Sequence, residues 1–131
     1  MVAAAVPDVR CLDQVHDPVP TSPARIRRAL RSVFAQWGLS VEAAEDALLV
    51  VEEMVANAVD HARTPFRLTV QHVGAALCVT VRDGAPGPVH VRPLSTVASR
   101  GRGMQMVEAL SSRWGWNRTA AGKAVWAVLP T

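Results

Sequence analysis

The most constraining feature of this sequence is a change of hydrophobic period at Thr64-Pro65. Upstream, Ala44, Ala47, Leu48, Val51, Val55, Ala58, Val59 and Ala62 follow one another mostly at three- and four-residue steps, with no glycine or proline between them. That spacing predicts a long helix with one core-facing side, reaching about residue 61. Ser40 stands where a hydroxyl caps its start. Downstream, Phe66, Leu68 and Val70 alternate with Arg67, Thr69 and Gln71, the two-residue period of a half-buried strand. Gly74-Ala75 then turns the chain into a second alternating run. Leu77, Val79, Val81 and Asp83 lie on one face of that run, with Cys78, Thr80 and Arg82 on the other.

The flanks extend the same pattern. Thr21-Ser22-Pro23 combines hydroxyl capping residues with a proline suited to the first helical position, and predicts a helix over residues 23–37. Its core stripe is Ile26, Ala29, Leu30, Val33, Phe34 and Trp37, and Gly38 ends it as a left-handed cap. Residues 1–20 read as an extended arm with an edge strand over 9–12, and residues 21–131 as one domain. From Gly84 to Arg100 no period survives, and Gly84, Pro86, Gly87, Pro88 and Pro93 mark a loop of the length that often serves as a functional lid. Gly101-Arg102-Gly103 opens a short helix over 104–112, and residues 114–118 and 123–129 form a closing hairpin. Helices gathered on one face of a mostly antiparallel sheet make an α+β fold, a two-layer α/β sandwich.

Composition narrows the possible functions. Half the residues are apolar and 19% are charged, enough to form a core. The longest apolar runs, residues 2–6 and 47–51, fall far short of the roughly 20 residues of a membrane-spanning helix. The first residues lack the basic start of a secretory signal, so a cytoplasmic protein with no membrane partner is expected. Cys11 and Cys78 lack metal-type spacing and read as reduced thiols. The net charge of +3 raises the question of nucleic acid, but Arg25, Arg27, Arg28 and Arg31 spread around a helix instead of forming a stripe. A solvated face or a protein partner explains them better than direct nucleic-acid binding.

Three groups of residues can carry chemistry. Glu53 and Asn57 stand one helical turn apart on one face, with His61 a turn further. A carboxylate and an amide oxygen so placed suit magnesium, which keeps several waters and takes few protein ligands. The carboxylate can also accept a proton from an attacking hydroxyl. The alternative is a pair of polar residues on an exposed helix side. Asp83 continues the inward parity of Leu77, Val79 and Val81, so it needs hydrogen-bond donors where it is buried. The exocyclic amino group of adenine is one such donor, and the backbone of the Gly84 turn is another. Gly101 and Gly103 flank a helix start that favours anions, and Arg100 and Arg102 can meet a terminal phosphate. An ordinary turn with solvated arginines remains open for that segment. No Walker-type lysine motif or dinucleotide fingerprint is present.

The order of these pieces is specific. Val51-Glu-Glu-Met-Val-Ala-Asn-Ala-Val-Asp-His-Ala62 resembles the N box of the histidine-kinase-like ATPase superfamily. Val81-Arg-Asp-Gly-Ala-Pro-Gly87 resembles its first glycine box, and Arg100-Gly-Arg-Gly-Met-Gln-Met-Val107 its second. The stretch Asn57-Ala-Val-Asp-His-Ala-Arg-Thr-Pro-Phe66 and the ending Gly122-Lys-Ala-Val-Trp126 are similar to bacterial anti-sigma-factor serine/threonine kinases. The resemblance implies a Bergerat-type site for ATP and Mg2+ with Glu53 as the catalytic carboxylate. Asn57 would bind the metal, and Asp83 would read adenine. His61, Gly87, Arg100, Gly101, Arg102, Gly103 and Met104 would complete the cofactor-binding set. It implies a homodimer whose partners are a sigma factor and an anti-sigma antagonist protein phosphorylated on serine or threonine. The alternative is a non-catalytic partner-binding module on the same fold. Three departures from the family pattern are visible, one of them a short lid. The glycine box is Asp83-Gly-Ala-Pro-Gly87 in place of Asp-x-Gly-x-Gly, and Ala124 follows the Gly-Lys pair where many relatives have threonine.

Overall fold

The computed structural model of this chain describes residues 9–87 and 103–131. Five strands, β1 (Val9–His16), β2 (Phe66–Val73), β3 (Ala76–Asp83), β4 (Arg113–Thr119) and β5 (Gly122–Pro130), form one sheet in the order β1-β2-β3-β5-β4. Every neighbouring pair is antiparallel. Three helices, α1 (Ser22–Gln36), α2 (Val41–Asn57) and α3 (Gly103–Leu110), supply the second layer, so the chain is an α+β two-layer sandwich as its periodicities predict.

The register shows why one face is covered. Leu77, Val79 and Val81 of β3 sit opposite Leu129, Ala127 and Val125 of β5, and Val79 and Val81 also sit opposite Val70 and Leu68 of β2. These residues have the same parity, so they form a continuous apolar surface. Leu48, Val51, Met54 and Val55 of α2 and Leu30 and Phe34 of α1 belong to the same buried cluster. Full burial of each large side chain is worth about 1.5–3 kcal/mol. The ion pairs Arg27–Glu52 at 2.9 Å and Arg31–Glu45 at 2.7 Å also join α1 to α2, but exposed pairs contribute only about 0–1 kcal/mol each. Apolar burial therefore holds the helices together, and the pairs bias their alignment. Two of the four clustered arginines face carboxylates of the neighbouring helix.

Several local expectations shift by a few residues. Ser40 caps α2 by accepting from the Ala43 N–H at 3.1 Å, and Gly38 adopts the left-handed conformation with φ 75°. The hydroxyls before α1 act differently. Thr21 makes no side-chain cap, and the buried Ser22 hydroxyl donates to the Asp17 carbonyl at 2.8 Å, tying the entry of the helix to the end of β1. Ala29 is exposed and does not join the stripe. β1 runs to His16, beyond the short edge strand over residues 9–12, because it pairs with the whole of β2. Its end is fixed by His16 stacked on Phe66, with ring centroids 5.6 Å apart.

Candidate functional site

The site is built where α2 ends beside the last residues of β3 and the first of β5. Glu53 and Asn57 lie in the last two turns of α2 and are half-buried. Beyond Asn57 the helix widens into a π-helical turn, Ala58–Ala62, closed by the Arg63 N–H donating to the Ala58 carbonyl at 3.0 Å. Pairing five residues apart places an extra residue in the turn, so His61 no longer stands one α-helical turn above Asn57. His61 is exposed. Arg63 takes a left-handed backbone, φ 56°, which reverses the chain toward β2. Thr64 then reaches across, and its hydroxyl oxygen accepts the Gly84 N–H at 2.8 Å. The end of the Glu53/Asn57 helix is thereby fastened to the turn that follows Asp83.

Asp83 points inward, as its parity predicts, and is 6% exposed. Its carboxylate meets the Lys123 ammonium, whose Nζ lies 3.1 Å from Oδ1 and 3.0 Å from Oδ2. Oδ1 also accepts the Ala85 N–H at 2.9 Å. The same Nζ approaches the Ala85 carbonyl at 3.5 Å. Of the two donors considered from sequence, the turn backbone is therefore present, and a lysine has joined it. Lys123 is itself 3% exposed and is the direct cross-strand partner of Asp83. A buried charge without a partner is strongly unfavourable, so each of these two groups permits the other. Periodicity held the signal for Lys123: it shares the parity of Val125, Ala127 and Leu129, and it is the only lysine in the sequence.

Gly122 brings the two strands this close. A Cβ at that position would lie 2.6 Å from the Gly84 carbonyl carbon and nearer still to the Asp83 carbonyl oxygen. Any side chain there would push β5 away from the Asp83–Gly84 backbone. Met104 is 2% exposed within the core, so its side chain serves packing, and only its backbone can face a ligand. Gln105, in the first turn of α3, has a buried Oε1 without a hydrogen-bond partner among the described residues. Gly87 is half-buried in the bend after β3. Gly103 begins α3. Arg100, Gly101 and Arg102 lie outside the described residues.

The donor set fits a nucleotide with magnesium. Glu53 and Asn57 offer oxygens, the preference of a hard cation that needs only one or two protein ligands beside phosphate and water. Among the described residues no cluster of three or more His, Cys, Asp or Glu forms a metal cage. An ionised carboxylate has about four acceptor positions, and among the described residues Asp83 makes three contacts, leaving Oδ2 with capacity for one further donor.

The sequence matches the family described as histidine kinase-like ATPase domain over residues 18–129. The chain belongs to that family. Among curated proteins none matches it. A solved structure of the RsbU and RsbW domains of Rv1364c from Mycobacterium tuberculosis superimposes with a TM-score of 0.71 at 20% identity. That alignment covers 92% of this chain and 32% of the longer protein. At this identity the likeness concerns the fold. An ATPase-type domain implies ATP binding. No helix among the described residues is long and apolar enough to cross a membrane.

Proposed function

We propose that this chain is a cytoplasmic anti-sigma regulatory factor that binds ATP with magnesium, transfers phosphate to serine or threonine of an antagonist protein, and holds a sigma factor as a homodimer. The observation that carries the nucleotide part is Asp83, an inward carboxylate at the end of β3 with acceptor capacity to spare, fastened through Gly84 and Thr64 to the end of the Glu53/Asn57 helix. Support for the partner classes comes from the motif order and from the RsbW domain of the structural neighbour.

The residues divide the work by their chemistry. Asp83 accepts a hydrogen bond from the amino edge of the base. The Asn57 amide oxygen would hold magnesium, which when bound neutralises phosphate charge. Glu53, one turn away on the same helix face, accepts the proton of the attacking hydroxyl. The start of α3 at Gly103, with Arg100, Gly101 and Arg102 before it, is assigned to the phosphates, and His61 and Gly87 to the rim.

Two variants test the assignment. Glu53→Ala should abolish phosphorylation of the antagonist while calorimetry still shows ATP binding. Asn57→Ala should remove the magnesium dependence of that binding. Wild-type transfer by Glu53→Ala would end the kinase reading. A wild-type chain that gives neither heat nor thermal stabilisation with ATP and magnesium would end the nucleotide reading, since a specific ligand must raise apparent stability.

A further inference from the structure

Along the covered face, β3 and β5 match apolar residue to apolar residue: Leu77 with Leu129, Val79 with Ala127 and Val81 with Val125. At the next step on that face the ladder changes to Asp83 with Lys123, both almost wholly buried. A buried ion pair is weak evidence for stability, because a well-packed apolar pair often serves as well. The exception lies at the strand ends, beside the turn fastened to α2, and involves the sequence's single lysine against thirteen arginines.

We infer that Lys123 is a positioning residue for base recognition: it fixes the Asp83 carboxylate so that Oδ2 is presented as an acceptor to the edge of a bound purine. This rests on the nucleotide-binding reading above and deepens it. An ammonium group has three donors and no acceptor. Lys123 Nζ donates to Oδ1 at 3.1 Å and to the Ala85 carbonyl at 3.5 Å, and lies 3.0 Å from Oδ2, so its donors are directed at Asp83 and the turn after it. Asp83 keeps acceptor capacity on Oδ2 alone, because Oδ1 is already shared by Lys123 and the Ala85 N–H. An acceptor placed at the 6-position matches the 6-amino group of adenine and repels the 6-oxo group of hypoxanthine held in the same pose, which would have to shift to offer its N1–H instead. Without the lysine, the Ala85 N–H is the one contact among the described residues left to the Asp83 carboxylate, at Oδ1, so nothing fixes the angle at which Oδ2 meets the base and the discrimination is lost.

The test compares MgATP with MgITP, whose bases differ at the 6-position (amino against oxo) and at N1 (acceptor against N–H donor), by calorimetry on the full chain as wild type, Lys123→Met and Lys123→Arg. A hydrogen bond to a charged group sets the wild-type preference for ATP at roughly 10- to 100-fold. Lys123→Met should bring the ratio to within about threefold of unity by weakening ATP binding, with MgITP affinity retained through the phosphates. Lys123→Arg, which keeps a cation against Asp83, should recover most of the preference. A purely structural lysine would weaken both nucleotides equally and leave the ratio intact, which overturns the inference. Tighter ATP binding by Lys123→Met would show the lysine competing with the base and overturns it too. A second measurement needs no variant: with 13C-lysine the wild-type chain gives one ε-methylene signal. MgATP should shift it saturably and MgITP should shift it much less, whereas an unmoved signal with MgATP bound refutes the positioning role. Heat from neither nucleotide removes the nucleotide reading itself, while equal wild-type affinities remove only the inference.

Discussion

Replacing Lys123 by methionine removes one charge from a buried pair and keeps the length of the aliphatic chain. Asp83, 6% exposed, then retains only the Ala85 N–H of its three present contacts. Breaking a buried pair from one side typically costs about 3–5 kcal/mol, because the remaining charge is left uncompensated. For a domain whose urea dependence is roughly 2 kcal/mol per molar, the unfolding midpoint should fall by about 1.5–2.5 M. The double variant Asp83→Leu/Lys123→Met continues the apolar ladder of Val81 and Val125. It should recover to within about 2 kcal/mol of wild type, the deficit being mainly the Ala85 N–H left without its acceptor. Urea unfolding followed by tryptophan fluorescence measures four proteins, wild type, Lys123→Met, Asp83→Leu and the double variant, with Trp114 and Trp116 packed against the core as reporters. A Lys123→Met midpoint within about 0.5 M of wild type would mean the pair carries little energy. A double variant as unstable as the sum of the single ones would mean that the two residues are not coupled. Either result refutes the reasoning.

Three further outcomes are expected. Gly122→Ala should cost at least about 2 kcal/mol in the same assay, since its Cβ collides with backbone that cannot rotate away; retention of wild-type stability would show that β5 shifts freely. Ser111→Ala should raise the melting temperature by a few degrees, because its buried hydroxyl has no partner among the described residues and removing it relieves about 1 kcal/mol. His16 is held below its ordinary pKa, first by burial and then by Arg25. Its folded-state pKa is thus the lower one, so the unfolded chain takes up the proton first, and stability should fall as pH drops through the ordinary histidine range near 6.5. Comparing the pH dependence of the urea midpoint between pH 8 and pH 5 in wild type and His16→Gln isolates this contribution, and an identical slope in both would contradict it.

How much of the site could be read in advance differs from residue to residue. Glu53 and Asn57 were legible because a helix fixes its own i and i+4 neighbours wherever it packs. His61 was expected a turn above them, and the π-helical turn at Ala58–Ala62 displaces it; that widening stores no pattern in the spacing of apolar residues. Asp83 was legible as inward by parity, but its partner was not. Choosing between a ligand, a turn backbone and a lysine forty positions later requires knowing which strand lies beside β3.

By itself, the sequence determined the periods: where helices run, where strands alternate, which side of each must be covered, and hence an α+β sandwich with α2 and β3 bearing the polar exceptions. These are local consequences of 3.6- and two-residue repeats and of the burial of apolar surface. Tertiary structure alone decided the order β1-β2-β3-β5-β4, which inserts β5 between β3 and β4 and so sets Lys123 against Asp83. Hydrophobic burial is non-directional and leaves strand order open, whereas backbone register and the close approach that Gly122 allows make one particular pair of charges meet.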